Sequence, residues 1–86
     1  MFYYIYILYS LLDHKFYIGF TSNLKQRFTE HQNGEVFATK GRRPFKLIYY
    51  EAYLNKLDAL KREKYFKTDK GKRSLRLMLK NYLHSL

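Results

Sequence analysis

The sequence predicts an α+β domain: a three-stranded antiparallel sheet flanked by helices, in the order β-β-α-β-α-α. Three observations predict it. Aromatic and β-branched residues concentrate in three short runs, at 2–9, 16–20 and 45–53. Between and after them, apolar residues recur at helical spacing behind good N-cap residues. Finally, 86 residues with one proline and no cysteine leave room for a single core, so one domain spans 1–86.

The run Phe2-Tyr3-Tyr4-Ile5-Tyr6-Ile7-Leu8-Tyr9 is apolar on both faces, which suits a central strand. A polar connection at 10–15 joins it to Phe16-Tyr17-Ile18-Gly19-Phe20, and two short strands so joined are most simply an antiparallel pair. In the second strand Phe16, Ile18 and Phe20 point one way and Tyr17 and Gly19 the other. Thr21, Ser22 and Asn23 are all able to cap the helix that follows through Gln32, and Asn33-Gly34 stops it. On that helix Leu24 and Phe28 form one i, i+4 pair, and Arg27 and His31 a second pair on an adjacent face. A polar loop at 35–44 leads to the third strand at 45–53. The second helix is expected from Asn55 or Lys56 to Thr68, a break at Asp69-Lys70-Gly71, and a third helix at 72–83 with Leu75, Leu79 and Tyr82 as its apolar stripe.

Charge narrows the function. Lys and Arg number 17 against 7 Asp and Glu, a net +10. Residues 1–39 carry Lys15, Lys25 and Arg27 against Asp13, Glu30 and Glu35, so the whole excess lies in 40–86. A one-sided basic field attracts polyanions, nucleic acid first among them. Without cysteine there is no disulfide framework, thiolate zinc site or cysteine nucleophile. No apolar run approaches the ~18 residues of a membrane span, and the apolar start lacks a basic signal region, so a cytoplasmic protein is expected.

One carboxylate is out of place. At about 100° per residue, Ala59, Leu60, Glu63 and Phe66 share an arc roughly 120° wide, so Glu63 sits within an apolar stripe. A carboxylate there needs a cationic partner: a metal ion, an arginine or a protonated histidine, or, at the rim of the stripe, Lys56 or Lys67. Tyr17, Arg27 and His31 taken singly are ordinary packing or surface residues.

Together, Tyr4-Ile5-Tyr6, Tyr17-Ile18-Gly19, Arg27 and His31 four residues later, and Glu63 on a subsequent helix resemble the GIY-YIG endonuclease superfamily over about residues 3–80. The stretches Lys40-Gly41-Arg42-Arg43-Pro44-Phe45 and Ala59-Leu60-Lys61-Arg62-Glu63 are most similar to its small stand-alone bacterial members, related to the N-terminal nuclease domain of the excision-repair protein UvrC. Three positions depart from the pattern: Tyr4 replaces the glycine of the first triplet, Phe20 stands where several members have lysine, and 67–72 holds no late asparagine.

The resemblance implies a metal-dependent endonuclease that hydrolyses phosphodiester bonds, with DNA ahead of RNA as substrate. It implies catalytic roles for Tyr6, Tyr17, Arg27, His31 and Glu63: Tyr17 as general base, Arg27 on the scissile phosphate, His31 orienting a tyrosine or relaying a proton. Glu63, facing the sheet where the tyrosines stand, would be the sole ligand of one divalent metal, Mg2+ or Mn2+. Lys40, Arg42, Arg43, Lys61, Arg62, Lys64, Lys72, Arg73 and Arg76 are the expected phosphate contacts. The alternative is a basic nucleic-acid-binding module of the same fold without turnover, attached to RNA or a repair complex. A monomer or weak dimer is expected in either case.

Overall fold

The computed structural model describes the whole chain, Met1–Leu86. Its centre is strand β1 (Tyr3–Ser10), flanked by β2 (Phe16–Thr21) on one side and β3 (Phe45–Tyr53) on the other. Both pairings are antiparallel, with Tyr6 opposite Gly19 and Tyr50, and the β1–β3 register shifts between Ile7 and Leu8. The sheet is the three-stranded antiparallel one expected, and its central strand is the run with two apolar faces.

The pleat sorts that run between two layers. Ile5 and Ile7 face one way, together with Ile18, onto Ala59, Phe66 and Leu75 of two later helices. Tyr6 and Leu8 face the other way, packing with Phe45, Tyr17, Leu24 and Phe28. Helix α1 (Leu24–Gln32) therefore covers one face, and α2 (Lys56–Phe66) with α3 (Asp69–Met78) covers the other. A short α4 (Lys80–His84) follows, and a single 3-10 turn at Lys40–Arg42 lies in the loop before β3.

Side chains fix the helix starts. Asn23 accepts from the Gln26 backbone N–H and Asn55 from that of Leu57. The expected break at 69–71 is corrected here. Thr68 accepts from the Gly71 N–H, so Asp69-Lys70-Gly71 form the first turn of α3 instead of a gap. Gly71 is there for space: a Cβ on it would lie 2.0 Å from the Tyr65 carbonyl oxygen, where α2 and α3 meet. The third helix also ends earlier than expected, dividing at Leu79 into α3 and α4.

Candidate active site

Tyr6 leaves the middle of β1 and crosses its neighbour. Its ring occupies the space that a side chain on Gly19 would fill; a Cβ built there would lie 2.2 Å from Tyr6 Cζ. Gly19 thus lets the tyrosine lie across β2, with its hydroxyl carried toward the outer edge of the sheet. Tyr17, half-buried opposite Leu8, stands beside it with ring centroids 6.4 Å apart. His31 of α1 completes an aromatic trio, 5.0 Å from the Tyr17 ring and 5.7 Å from that of Tyr6.

His31 is fully buried and both its nitrogens are used. Nε2 lies 2.8 Å from Tyr6 Oη, and Nδ1 lies 2.7 Å from Thr39 Oγ1. The hydrogens can be assigned from the network. The only other polar group against the Tyr6 hydroxyl is Arg27, which can donate but not accept, so the Tyr6 O–H donates to Nε2. Nδ1–H then donates to Thr39, whose own hydroxyl donates to the Val36 carbonyl. Burial, and then the nearby Arg27 charge, lowers the His31 pKa to about 4, which keeps the ring neutral. Burial also pushes the Tyr6 hydroxyl up to about 12, against the opposing pull of Arg27. Tyr6 is therefore a fixed, protonated phenol, whereas Tyr17 stands closer to solvent.

Arg27 lies next to this trio, half-buried and paired with Glu30 at 2.9 Å. It lines a hollow of about 370 Å³ with Phe20, Thr21, Ser22, Asn23, Gln26 and Glu30. Phe20 thus borders the same hollow as the arginine.

Glu63 is placed otherwise than expected. The tyrosines lie on the α1 face, whereas α2 packs on the Ile5 and Ile7 face, so Glu63 does not look onto the tyrosines across a shared layer. Helix α2 touches all three strands, the edge strand β2 among them. The Glu63 charge still reaches the Tyr6 hydroxyl, where it opposes ionisation. Its side chain is 19% exposed and pairs with Lys67 at 3.3 Å, the rim arrangement that periodicity left open.

A profile of the GIY-YIG catalytic domain matches residues 2–76. The chain belongs to the GIY-YIG family. A UPF0213 protein of Limosilactobacillus reuteri is 50% identical over 68 residues, covering 76% of this chain and 70% of that protein. A second, from Pediococcus acidilactici, is 37% identical over 82 residues, covering 92% of this chain and 83% of its own. Among solved structures, the solution NMR structure of the UPF0213 protein BH0048 from Bacillus halodurans superposes with a TM-score of 0.58. It is 31% identical and covers 91% of this chain and 85% of that one. The domain is thus of nuclease type, and the relatives it resembles are UPF0213 proteins of bacteria.

The basic residues of this GIY-YIG chain divide into two groups. Arg42 and Arg62 are already engaged. Arg42 pairs with Asp13 at 2.6 Å and reaches the carbonyls of Lys15 and Phe16. Arg62 grips Glu51 with two nitrogens and lies over the Phe66 ring at 4.2 Å. Burial raises the Glu51 carboxyl, but Arg62, Tyr49 and Tyr53 outweigh it and hold the pKa below its usual value. Lys40, Arg43, Lys61, Lys64, Arg73 and Arg76 are exposed, and Lys72 is half-buried. No group of three or more His, Asp or Glu side chains surrounds a common point, and no helix is long and apolar enough to cross a membrane. Thr39 is the residue that sequence reasoning missed: its partner His31 is eight positions away, and no periodic signal links them.

Proposed function

We propose that this chain is a metal-dependent endonuclease that hydrolyses phosphodiester bonds in nucleic acid, DNA ahead of RNA. The observation that carries the reading is the convergence at the outer edge of β2. There a bonded tyrosine–histidine pair, a second tyrosine and an arginine stand together, within the field of a carboxylate from the other layer.

The roles follow from the surroundings of each group. Arg27 offers fixed donors to the scissile phosphate, exchanging its contact with Glu30 for one with the non-bridging oxygens. Tyr17, acting as its phenolate, takes the proton of the attacking water, which bonds to phosphorus as the bond to the departing sugar oxygen breaks and that oxygen picks up a proton from solvent. Tyr6 is held by His31 as a hydrogen-bond donor that orients the reacting groups, and its burial suits it poorly to act as a base. His31 serves as the rigid acceptor behind Tyr6, in a tautomer maintained by Thr39.

Glu63 suits a hydrated divalent ion. A lone carboxylate cannot form a closed cage, but magnesium and manganese retain waters and accept one carboxylate together with substrate phosphate. The present partner, Lys67, is 57% exposed and free to swing away. Glu63 would hold one Mg2+ or Mn2+ ion, which supplies Lewis-acid stabilisation of the leaving oxygen.

The test is a nicking assay on supercoiled plasmid and on labelled single-stranded and branched DNA, in magnesium, manganese or chelator. Wild type should cut only with metal. Glu63→Ala, Tyr17→Phe and Arg27→Ala should each lower the rate at least about a hundredfold, with binding retained in Glu63→Ala. Binding without cutting under every condition would replace the enzyme with a binding module of the same fold.

A further inference from the structure

The outer edge of β2 has a second feature, at the opposite end of the strand from the Arg27 hollow. A depression of about 400 Å³ is lined by Asp13, Lys15, Phe16, Arg42, Lys72 and Arg76. These residues come from the β1–β2 connection, the start of β2, the 3-10 turn and α3. Asp13 is the only carboxylate among them, and its charge is matched by Arg42 at 2.6 Å. Hydrogen bonding to Arg42 holds the Asp13 carboxyl down to about 2, so the pair stays ionised and internally neutral. Lys15, Lys72 and Arg76 take part in none of the four ion pairs of the molecule. Three uncompensated cations therefore line one hollow.

Two of these cations are held in place by packing. Arg76 lies over the Phe16 ring, 5.4 Å from its centroid, which steadies the guanidinium at the rim. Lys72 is one helical turn before Arg76 on the same face of α3 and is half-buried with no counter-ion. An ammonium with part of its stem covered and no carboxylate beside it attracts an anion into the space it borders. The floor is fixed because Arg42 bonds to the carbonyls of Lys15 and Phe16.

Direction comes from β2 itself. Phe16 lies in this hollow, Gly19 beneath the Tyr6 ring, and Phe20 and Thr21 in the hollow of Arg27. From Phe16 to Gly19 the strand advances about 10 Å at ~3.3 Å per residue. A nucleic-acid backbone laid along the strand would pass both positions within a few nucleotides. We propose that Lys15, Lys72 and Arg76 form a backbone-phosphate subsite, within a few nucleotides of the bond cut, on a strand laid along the outer edge of β2. The distance to the cut rests on the nuclease reading; the anion subsite rests on the hollow alone.

The test measures binding of a fluorescent single-stranded oligonucleotide in chelator across a range of salt concentrations, so it does not depend on turnover. Lys15→Gln, Lys72→Gln and Arg76→Gln should each weaken binding about three- to tenfold and reduce the slope of log affinity against log salt by about 0.7. Arg76→Lys should retain the slope, since it keeps the charge. Lys46→Gln, at the start of β3 on the far edge of the sheet, should leave affinity and slope unchanged. Lys15 is exposed, so its variant remains decisive if the α3 variants are unstable. Slopes equal to wild type in the three variants, or an equal loss in Lys46→Gln, would overturn the subsite. Inorganic phosphate displacing the oligonucleotide at matched concentration would assign the hollow to free phosphate and overturn a backbone track. Absence of nicking by the wild type in the companion assay would defeat the nuclease chemistry while these slopes still decided the subsite.

Discussion

His31 shows how much one buried side chain settles. It is an imidazole without solvent contact, neutral, with each nitrogen committed to a hydroxyl. Its pKa is about 4 in the fold against an ordinary 6.5, so between those values the unfolded chain binds more protons than the native one. Stability from this group is fully present above pH 6.5 and is lost as pH falls toward 4, amounting to about 3 kcal/mol. Thermal melts from pH 7 to pH 4 should show this decline in the wild type and a much shallower one in His31→Gln. Equal slopes would mean that the ring is not held neutral. Arg42 shows a different economy at the same scale. Its sequence context marks it as a phosphate contact, yet its donors are taken up by Asp13 and two strand carbonyls, which fasten the 3-10 turn to the start of β2. A substitution there should disturb folding before binding.

The elements are joined at a few close approaches, and Gly71 is the tightest. Gly71→Ala gains about 1 kcal/mol of helix propensity but drives a methyl into the Tyr65 carbonyl, a backbone atom that cannot swing aside. The clash should win, leaving a net loss of about 2–3 kcal/mol and a fall of at least about 10 °C in Tm. A Tm at or above that of wild type would show that α2 and α3 can separate freely. The same junction marks where the sequence was least legible. All three strands and α1 were visible, because alternating and helical patterns are local and Asn23 caps where an N-cap residue was expected. The α2–α3 break was misplaced because a glycine chosen for closeness resembles one chosen for flexibility, while the deciding cap, Thr68, lies three residues earlier. The trio of Tyr6, Tyr17 and His31 was legible as a set of motifs. Thr39 was not, since only the folded loop brings it to His31, and neither was the face of the sheet to which Glu63 belongs.

At the scale of the molecule, charge and topology act together. A net +10 on 86 residues is self-repulsive, and a polyanion bound only by the native state relieves it. Single-stranded DNA in chelator, at about a hundred times its dissociation constant, should stabilise the fold by about 2.7 kcal/mol, raising Tm by about 10–20 °C. Added salt should abolish the shift; a shift that persists in high salt would mean that recognition is not phosphate-led. The division of labour along the chain has one further consequence. Tyr6, Tyr17, Arg27 and His31 all come from the electrically balanced first 39 residues, whereas Glu63 and the entire charge excess come from the remainder. The loop at 35–38 separates the two, and the β1–β3 ladder is the main seam between them. Severed in that loop, the chain would become two complementing fragments. One would hold the aromatic trio without the carboxylate, the other the carboxylate and the charge excess, and the two would be reunited only as the seam re-formed.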